Sequence, residues 1–266
     1  MSKFVVAIFP DETKAYEGTR ALKELHAEGS ITVYGIAVIA KDASGKISVK
    51  QAADAGPLGT AVGALVGTLV GLLGGPVGAV VGYGSGALVG VLSDVYNAGV
   101  STDFVNSVSE KLTPGKTAVA AEVTEDWVTP LDSRMEAIGG TVIREQRSDF
   151  EDDQIDKEVK ARKADVARLK AEFAQATDDR KAKLKAQIAE AQAKLSAAAG
   201  RAKSRMTQLQ QEGQAKLKEL QNQAASAKRD TKAKIDQHIA EAKADYARRS
   251  DKLKQAWEST KEALAA

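Results

Sequence analysis

From Ala55 to Ser93 the chain runs for 39 residues without a single Lys, Arg, Asp, Glu or His. Within that run glycine returns at every fourth position, first as Gly59, Gly63, Gly67, Gly71 and Gly75. A second register follows as Gly74, Gly78, Gly82, Gly86 and Gly90. Spacing of four residues places each set along one stripe of a helix. Gly74-Gly75-Pro76 separates the sets, and proline suits the first turn of a new helix. The run therefore predicts a hairpin of two helices of roughly 17 residues, each about 25 Å long. Glycine inside a helix costs about 1 kcal/mol relative to alanine. Its regular repetition implies compensation by close backbone approach, as in small-xxx-small packing. Two environments fit such a hairpin. One is lipid, where each arm is at the short end of what crosses a hydrocarbon layer of about 30 Å. The other is the shared interior of a soluble oligomer. The flanks Asp54 and Asp94 bring no Lys/Arg cluster to fix an orientation in a bilayer.

Composition narrows the chemistry. The chain of 266 residues has no cysteine, two histidines and 12 aromatic residues. Disulfides, thiolate nucleophiles and cysteine metal sites are excluded. His26 and His238 lie too far apart in sequence to suggest a metal centre or a Ser-His-Asp triad. Asp11 and Glu12, and Asp152 and Asp153, read as helix-start acids favoured by the dipole. Asp178-Asp179 reads as solvated charge. Gly82-Tyr83-Gly84-Ser85-Gly86 lacks the Lys-Ser/Thr ending and the preceding strand of a phosphate loop. No catalytic residue, cofactor or metal ligand is expected. The short apolar run Phe4–Phe9, with no cleavage site after it, does not read as a secretory signal.

The net charge of +2 is a balance of −5 over residues 1–150 and +7 over 151–266. The densest basic stretch is Arg180, Lys181, Lys183, Lys185, Lys194, Arg201, Lys203 and Arg205, interrupted by Glu190 alone. A solvated helix face accounts for it better than an anionic partner does. Nucleic-acid binding would want stacking aromatics beside the cations, and the nearest, Phe173, belongs to an apolar stripe.

Around the uncharged run the first half reads as a small α+β domain, residues 1–54 and 100–148. Phe4–Phe9 suits a buried strand, and Asp11 can cap the helix that follows. That helix stops at Gly29. Ile31–Ala40 and Lys46–Gln51 flank Asp42-Ala43-Ser44-Gly45 and form a hairpin. Thr102–Leu112 is helical, Thr117–Val123 a strand, Leu131–Ile138 a short helix and Thr141–Arg144 the start of a last strand. This order fits a ferredoxin-like sandwich with its helices on one face, interrupted by the glycine hairpin of residues 55–99.

Residues 149–266 contain no proline and are rich in Ala, Lys, Glu, Gln and Arg, all good helix formers. Glu158–Arg162, Glu190–Lys194, Glu212–Lys216, Asp230–Lys234 and Asp245–Arg249 are spaced for ion pairs along a helix. Apolar residues recur every eleven positions, as in Phe173, Leu184, Leu195, Met206 and Leu217, and in Ile235, Tyr246 and Trp257. Eleven residues in three turns keep a stripe on a straight or slightly right-handed path. Gly200 and Gly213 offer the best breaks, but neither lies in a loop-forming cluster. One long amphipathic helix, a rod that packs along these residues against neighbours, is the expectation. An amphipathic helix lying on a lipid surface is the runner-up, weakened by the alanine-rich stripe.

The first half also resembles the bacterial DUF1269 family over residues 1–147. The matching pieces are Lys41-Asp42-Ala43-Ser44-Gly45-Lys46 with Val49-Lys50-Gln51, the glycine-rich stretch, and Leu92-Ser93-Asp94. Asp103-Phe104, Leu112-Thr113-Pro114-Gly115 and Gly139-Gly140-Thr141-Val142-Ile143-Arg144 complete them. The resemblance implies a ferredoxin-like domain with an inserted glycine-rich hairpin in a predicted bacterial membrane protein. It implies no activity, and it does not extend to the helical residues after 148.

Together these readings point to a non-enzymatic structural protein whose partner is itself. The glycine hairpins and bundled rods would build a homo-oligomeric ring, cage, stalk or filament. The alternative is a protein anchored by its hairpin that binds or shapes lipid surfaces. A cytoplasmic location is expected in the first case, membrane association in the second.

Overall fold

The computed structural model describes residues 2–73, 99–147 and 149–265. They divide into two compact units, one of Met1–Ser148 with Glu212–Lys243 and one of Asp149–Gln211 with Ala244–Ala266.

The first unit is built on strands β1 (Lys3–Phe9), β2 (Ile31–Lys41), β3 (Ile47–Gln51), β4 (Thr117–Glu125) and β5 (Thr141–Gln146). They form one antiparallel sheet in the order β3-β2-β4-β1-β5. Central β4 places Ala121 opposite Val5 of β1 on one side and Ile36 of β2 on the other. Helices α1 (Glu12–Ala27), α2 (Pro57–Leu73), α3 (Thr102–Lys111) and α4 (Thr129–Glu136) complete this part. Local chemistry sets their ends. The Asp11 carboxylate accepts the Lys14 N–H at 2.8 Å, capping α1. Asp42 accepts the backbone N–H of Ser44 and Lys46 at 2.8 and 3.0 Å, closing the β2–β3 turn at Gly45, whose φ is +86°. Ser101 caps α3, and the Glu145 carboxylate accepts both its N–H and its hydroxyl at 2.9 Å.

Helices cover the sheet on both faces, not on one as the strand order suggested. On one face α1 and α4 bury Leu22, Leu25, Leu131 and Met135 against Val5, Phe9, Val119 and Val123. On the other, α2 and α3 bury Val62, Leu65, Leu69, Phe104 and Val108 against Phe4, Val6, Ile8 and Ile39. The reason lies in the strands. All nine residues of β4 are buried, and β1 is continuously apolar from Phe4 to Phe9, so neither face can meet water.

The expected single rod over 149–266 is instead three helices, α5 (Phe150–Gln175), α6 (Asp178–Ser226) and α7 (Arg229–Ala265). The breaks fall at Ala176-Thr177 and Ala227-Lys228. Gly200 and Gly213 both lie inside α6. At the first break Ala176 turns extended, and the Thr177 carbonyl then accepts the Arg180 and Lys181 N–H groups. Folding back lets one chain bury its own stripe, which a solitary helix cannot do. In the second unit Val159 and Val166 of α5 meet Leu195 and Ala198 of α6 and Ala256 of α7. A second cluster joins Ile155, Ala202, Leu209 and Leu253.

Candidate functional site

The first feature with functional content is α2. Its 17 residues contain no charge. One side, carrying Ala61, Val62, Leu65, Val66 and Leu69, is spent on the sheet. Gly35 of β2 makes this seat possible, because a Cβ there would press on Val62 Cγ2 at 3.1 Å and on the Leu58 carbonyl at 3.2 Å. Gly63, Gly67 and Gly71 are exposed, and a Cβ added at any of them meets no described atom within 4 Å. Gly59 differs from these three. It is buried, and a Cβ there would collide with the carbonyl oxygen of Asp54, so its smallness serves the turn into α2. The remaining expected packing glycines, Gly74, Gly75, Gly78, Gly82, Gly86 and Gly90, lie outside the described residues.

The second feature is an ion cage. Glu122, on β4, is fully buried. Its Oε1 accepts from Ser2 Oγ at 2.7 Å, from Arg147 Nη1 at 3.1 Å and from the Lys216 ammonium. Glu212 shares both cations, at 2.9 Å from Lys216 and through two contacts with Arg147. The Lys216 ammonium also lies 4.9 Å from the centre of the Tyr34 ring. Burial by itself raises both carboxyls, but Lys216 and Arg147 outweigh it and hold Glu122 and Glu212 below the usual carboxylate range. Burial pushes the Tyr34 phenol up, against the pull of its hydrogen bond to Thr124 at 3.1 Å. On the opposite face of the sheet Glu125 is likewise enclosed, by Lys3 at 3.2 Å and Arg144 at 3.0 Å.

The third feature is a set of polar stitches between the sheet and residues 212–243. Gln223 donates to the carbonyls of His26 and Ile31 at 2.8 Å each and accepts from Thr32 Oγ1 at 2.5 Å. His26 Nδ1 accepts the Val33 N–H at 3.1 Å, and its Nε2 faces Glu219 at 3.2 Å. His238 Nε2 bonds Asp126 at 2.7 Å. Ile235, Leu220 and Ala224 form a small apolar cluster with Tyr34 beneath them.

In the second unit, buried Asp152 of α5 is held by Arg205 of α6 at 2.8 Å and by Arg249 of α7 at 2.6 Å. Arg201–Glu158 at 2.6 Å and Arg248–Asp149 at 3.0 Å add further rungs that fix helix register. The residues expected along the rod are distributed over the folded helices. Leu195 packs on α5, and Met206 and Tyr246 lie against the cluster around Leu209 and Leu253. Ile235 joins the first unit instead. Leu184 is buried, while Phe173, Leu217 and Trp257 are half-buried. Trp257 lies beneath Lys203 and Lys261, whose ammonium groups are 5.5 and 4.8 Å from its ring. Much of the stripe is thus buried within the chain. In the basic stretch, Lys181, Lys194, Arg201 and Arg205 have carboxylate partners, so much of it serves internal pairing.

Sequence reasoning missed Glu122, Arg147, Lys216 and Gln223. Only the i,i+4 spacing of Glu212 and Lys216 was visible in advance. Among the described residues, no three His, Asp or Glu side chains gather as a metal site, and no helix is long and apolar enough to cross a membrane.

These features define an α+β protein in which a helical extension is wired into the sheet by buried charge. Residues 60–160 match the model of the DUF1269 family, described as a protein of unknown function. The matched segment reaches from α2 into α5, and a helical region continues beyond it. The match begins inside α2, later than residue 1, and ends past residue 147. Neither a curated protein nor a solved structure matches the chain.

Proposed function

We propose that this chain is a non-enzymatic structural protein that assembles with further copies of itself through the glycine-bearing face of its uncharged helical hairpin. The observation that carries the reading is the division of α2. Its branched side chains are committed to the sheet, while Gly63, Gly67 and Gly71 stand open at four-residue spacing. Three exposed helix glycines cost about 3 kcal/mol relative to alanine by propensity, and close approach of another helix backbone offsets that cost. The strand order β5-β1-β4-β2, with α1 and α4 on one face, fits a ferredoxin-like frame to which β3 and α2 are additions. Such a frame holds α2 rigidly and presents its glycine face as a glycine zipper. Burial of the helical stripe inside each chain makes the hairpin the assembling element and the three helices a spacer. The buried carboxyls support a structural role, because Glu122 and Glu212 are held in their charged forms and away from the range useful for proton transfer at neutral pH.

Light scattering coupled to size-exclusion chromatography of the full chain tests this. The expected result is a discrete multiple of 28.0 kDa that collapses to the single-chain mass in a Gly63→Leu, Gly67→Leu, Gly71→Leu variant with unchanged helix content. A monodisperse single-chain wild type ends the proposal. The uncharged run Ala55–Ser93 favours a second reading, in which the hairpin anchors the protein in lipid. Carbonate-resistant recovery with membranes, in place of large soluble particles, selects that reading.

A further inference from the structure

Along the chain the aromatic nearest the basic stretch is Phe173, but the folded second unit brings Trp257 to it. Lys203 of α6 and Lys261 of α7 hold their ammonium groups 5.5 and 4.8 Å from the centre of that half-buried indole. Both lysines are exposed, and neither has a carboxylate partner among the described residues. Two cations thus meet at one ring without a counterion. Helix α6 has no acid from Ala191 to Gln211, and Glu258, next to Trp257, faces Lys254 at 4.0 Å. Arg201 and Arg205 turn the other way, to Glu158 and Asp152 of α5. The face that carries Lys203 continues along α6. Exposed Lys185 lies five whole helical turns before Lys203, so the two share that face about 27 Å apart. Gln192 and Ser196 lie between them within about 20° of the same line, while Glu190 is about 140° round the helix.

We infer that this face of the second unit binds single-stranded nucleic acid, its phosphates following Lys185, Lys203 and Lys261 and one base stacking on Trp257. A positive track beside an aromatic platform is what an unpaired strand needs, since every base has a face to stack. Lys203 and Lys261 must leave the ring to reach phosphates. A cation resting on an exposed ring gains only about two- to fivefold. Stacking of one base gains about fivefold to a hundredfold, and each displaced ammonium then neutralises a phosphate. The exchange therefore favours the strand. A duplex keeps its bases stacked on one another and offers none to the indole. A lipid surface fits less well, because none of the large apolar side chains exposed among the described residues belongs to this unit.

Fluorescence anisotropy of a labelled oligothymidylate of about 20 nucleotides, longer than a typical single-strand site, tests this by titration with the full chain. Binding should saturate and exceed that to a duplex of equal length at the same salt. Trp257→Ala should weaken it about fivefold or more, and Trp257→Phe should keep most of it. Lys203→Gln with Lys261→Gln should reduce the slope of log affinity against log salt by about 1.4, the share of two phosphates on a single strand. Trp127 is 69% exposed, and in a Trp127→Phe chain Trp257 is the only tryptophan left. The oligothymidylate should quench its emission there, a reading that needs no change at the site itself. Absence of binding overturns the inference, and so does binding without quenching or equal affinity for the duplex. Capture by phosphatidylglycerol vesicles with no affinity for the oligothymidylate assigns the face to lipid and overturns it as well.

Discussion

Phe9 shows how much a single side chain can demand of distant residues. Its ring is fully buried, and a Cβ added at Gly18 of α1 or at Gly140 before β5 would lie well inside van der Waals contact with it. Gly18 sits in a helix interior, where alanine normally gains about 1 kcal/mol over glycine. Here Gly18→Ala should instead lose about 1–3 kcal/mol by overpacking a ring with no room to retreat. Urea unfolding would measure the loss, and Phe9→Leu in the same chain should restore part of it. Some of this scale was legible in the sequence. Asp11, Asp42 and the i,i+4 pairs Glu190–Lys194 and Glu212–Lys216 act through neighbours a few positions away, and they stand as read. Glu122 was not legible, since its partners Lys216 and Arg147 are distant in the chain and nothing local marks a lone Glu in Ala-Ala-Glu-Val as a cage.

At the level of elements, the helix pair 212–243 is fastened to β4 by charge, and the fastening has a definite pH sense. Both cage carboxyls are held below their ordinary value on folding. They therefore contribute stability that is complete above the ordinary carboxylate range, near pH 4.5. That stability is lost progressively as pH falls below it toward the folded-state values. Lys216→Ala leaves Glu122 without its nearest cation and should cost about 3–5 kcal/mol, as breaking a buried pair does. Lys216→Met with Glu122→Gln should recover much of that cost and flatten the acid limb of the stability curve, as followed by circular dichroism between about pH 2 and pH 7. Elements were read from the sequence more faithfully than their packing. The β2–β3 hairpin, α3 and the succession of strands and helices along the first half match the reading. The helix breaks do not, because glycine suggests itself as a breaker while Ala176-Thr177 and Ala227-Lys228 carry little signal. What decides there is burial of the apolar stripe on return, a tertiary gain invisible to local propensity.

Across the whole molecule, the compact unit around the sheet is discontinuous in sequence, since Met1–Ser148 is completed by Glu212–Lys243. The family match ends at residue 160, yet the extension beyond it supplies Lys216, Gln223 and Leu220 to that unit. A chain truncated after residue 148 should therefore be markedly less stable than the full protein, losing the cage and the Gln223 stitches together. Thermal unfolding of the two lengths side by side checks this, and equal midpoints would show the extension to be merely appended. The sequence reading separated the two halves at residue 148 because composition changes there. Composition cannot show that a helical stretch returns to complete an earlier domain. The same discontinuity bears on how the protein is made. Between the last residue of the sheet portion and Glu212, a ribosome must add the 63 residues 149–211, which takes about 3–13 s at usual elongation rates. For that interval the nascent sheet waits with Glu122 lacking its lysine. The newborn chain must stay soluble in a half-finished form, and factors that shield emerging polypeptides have their longest opportunity to act on it then.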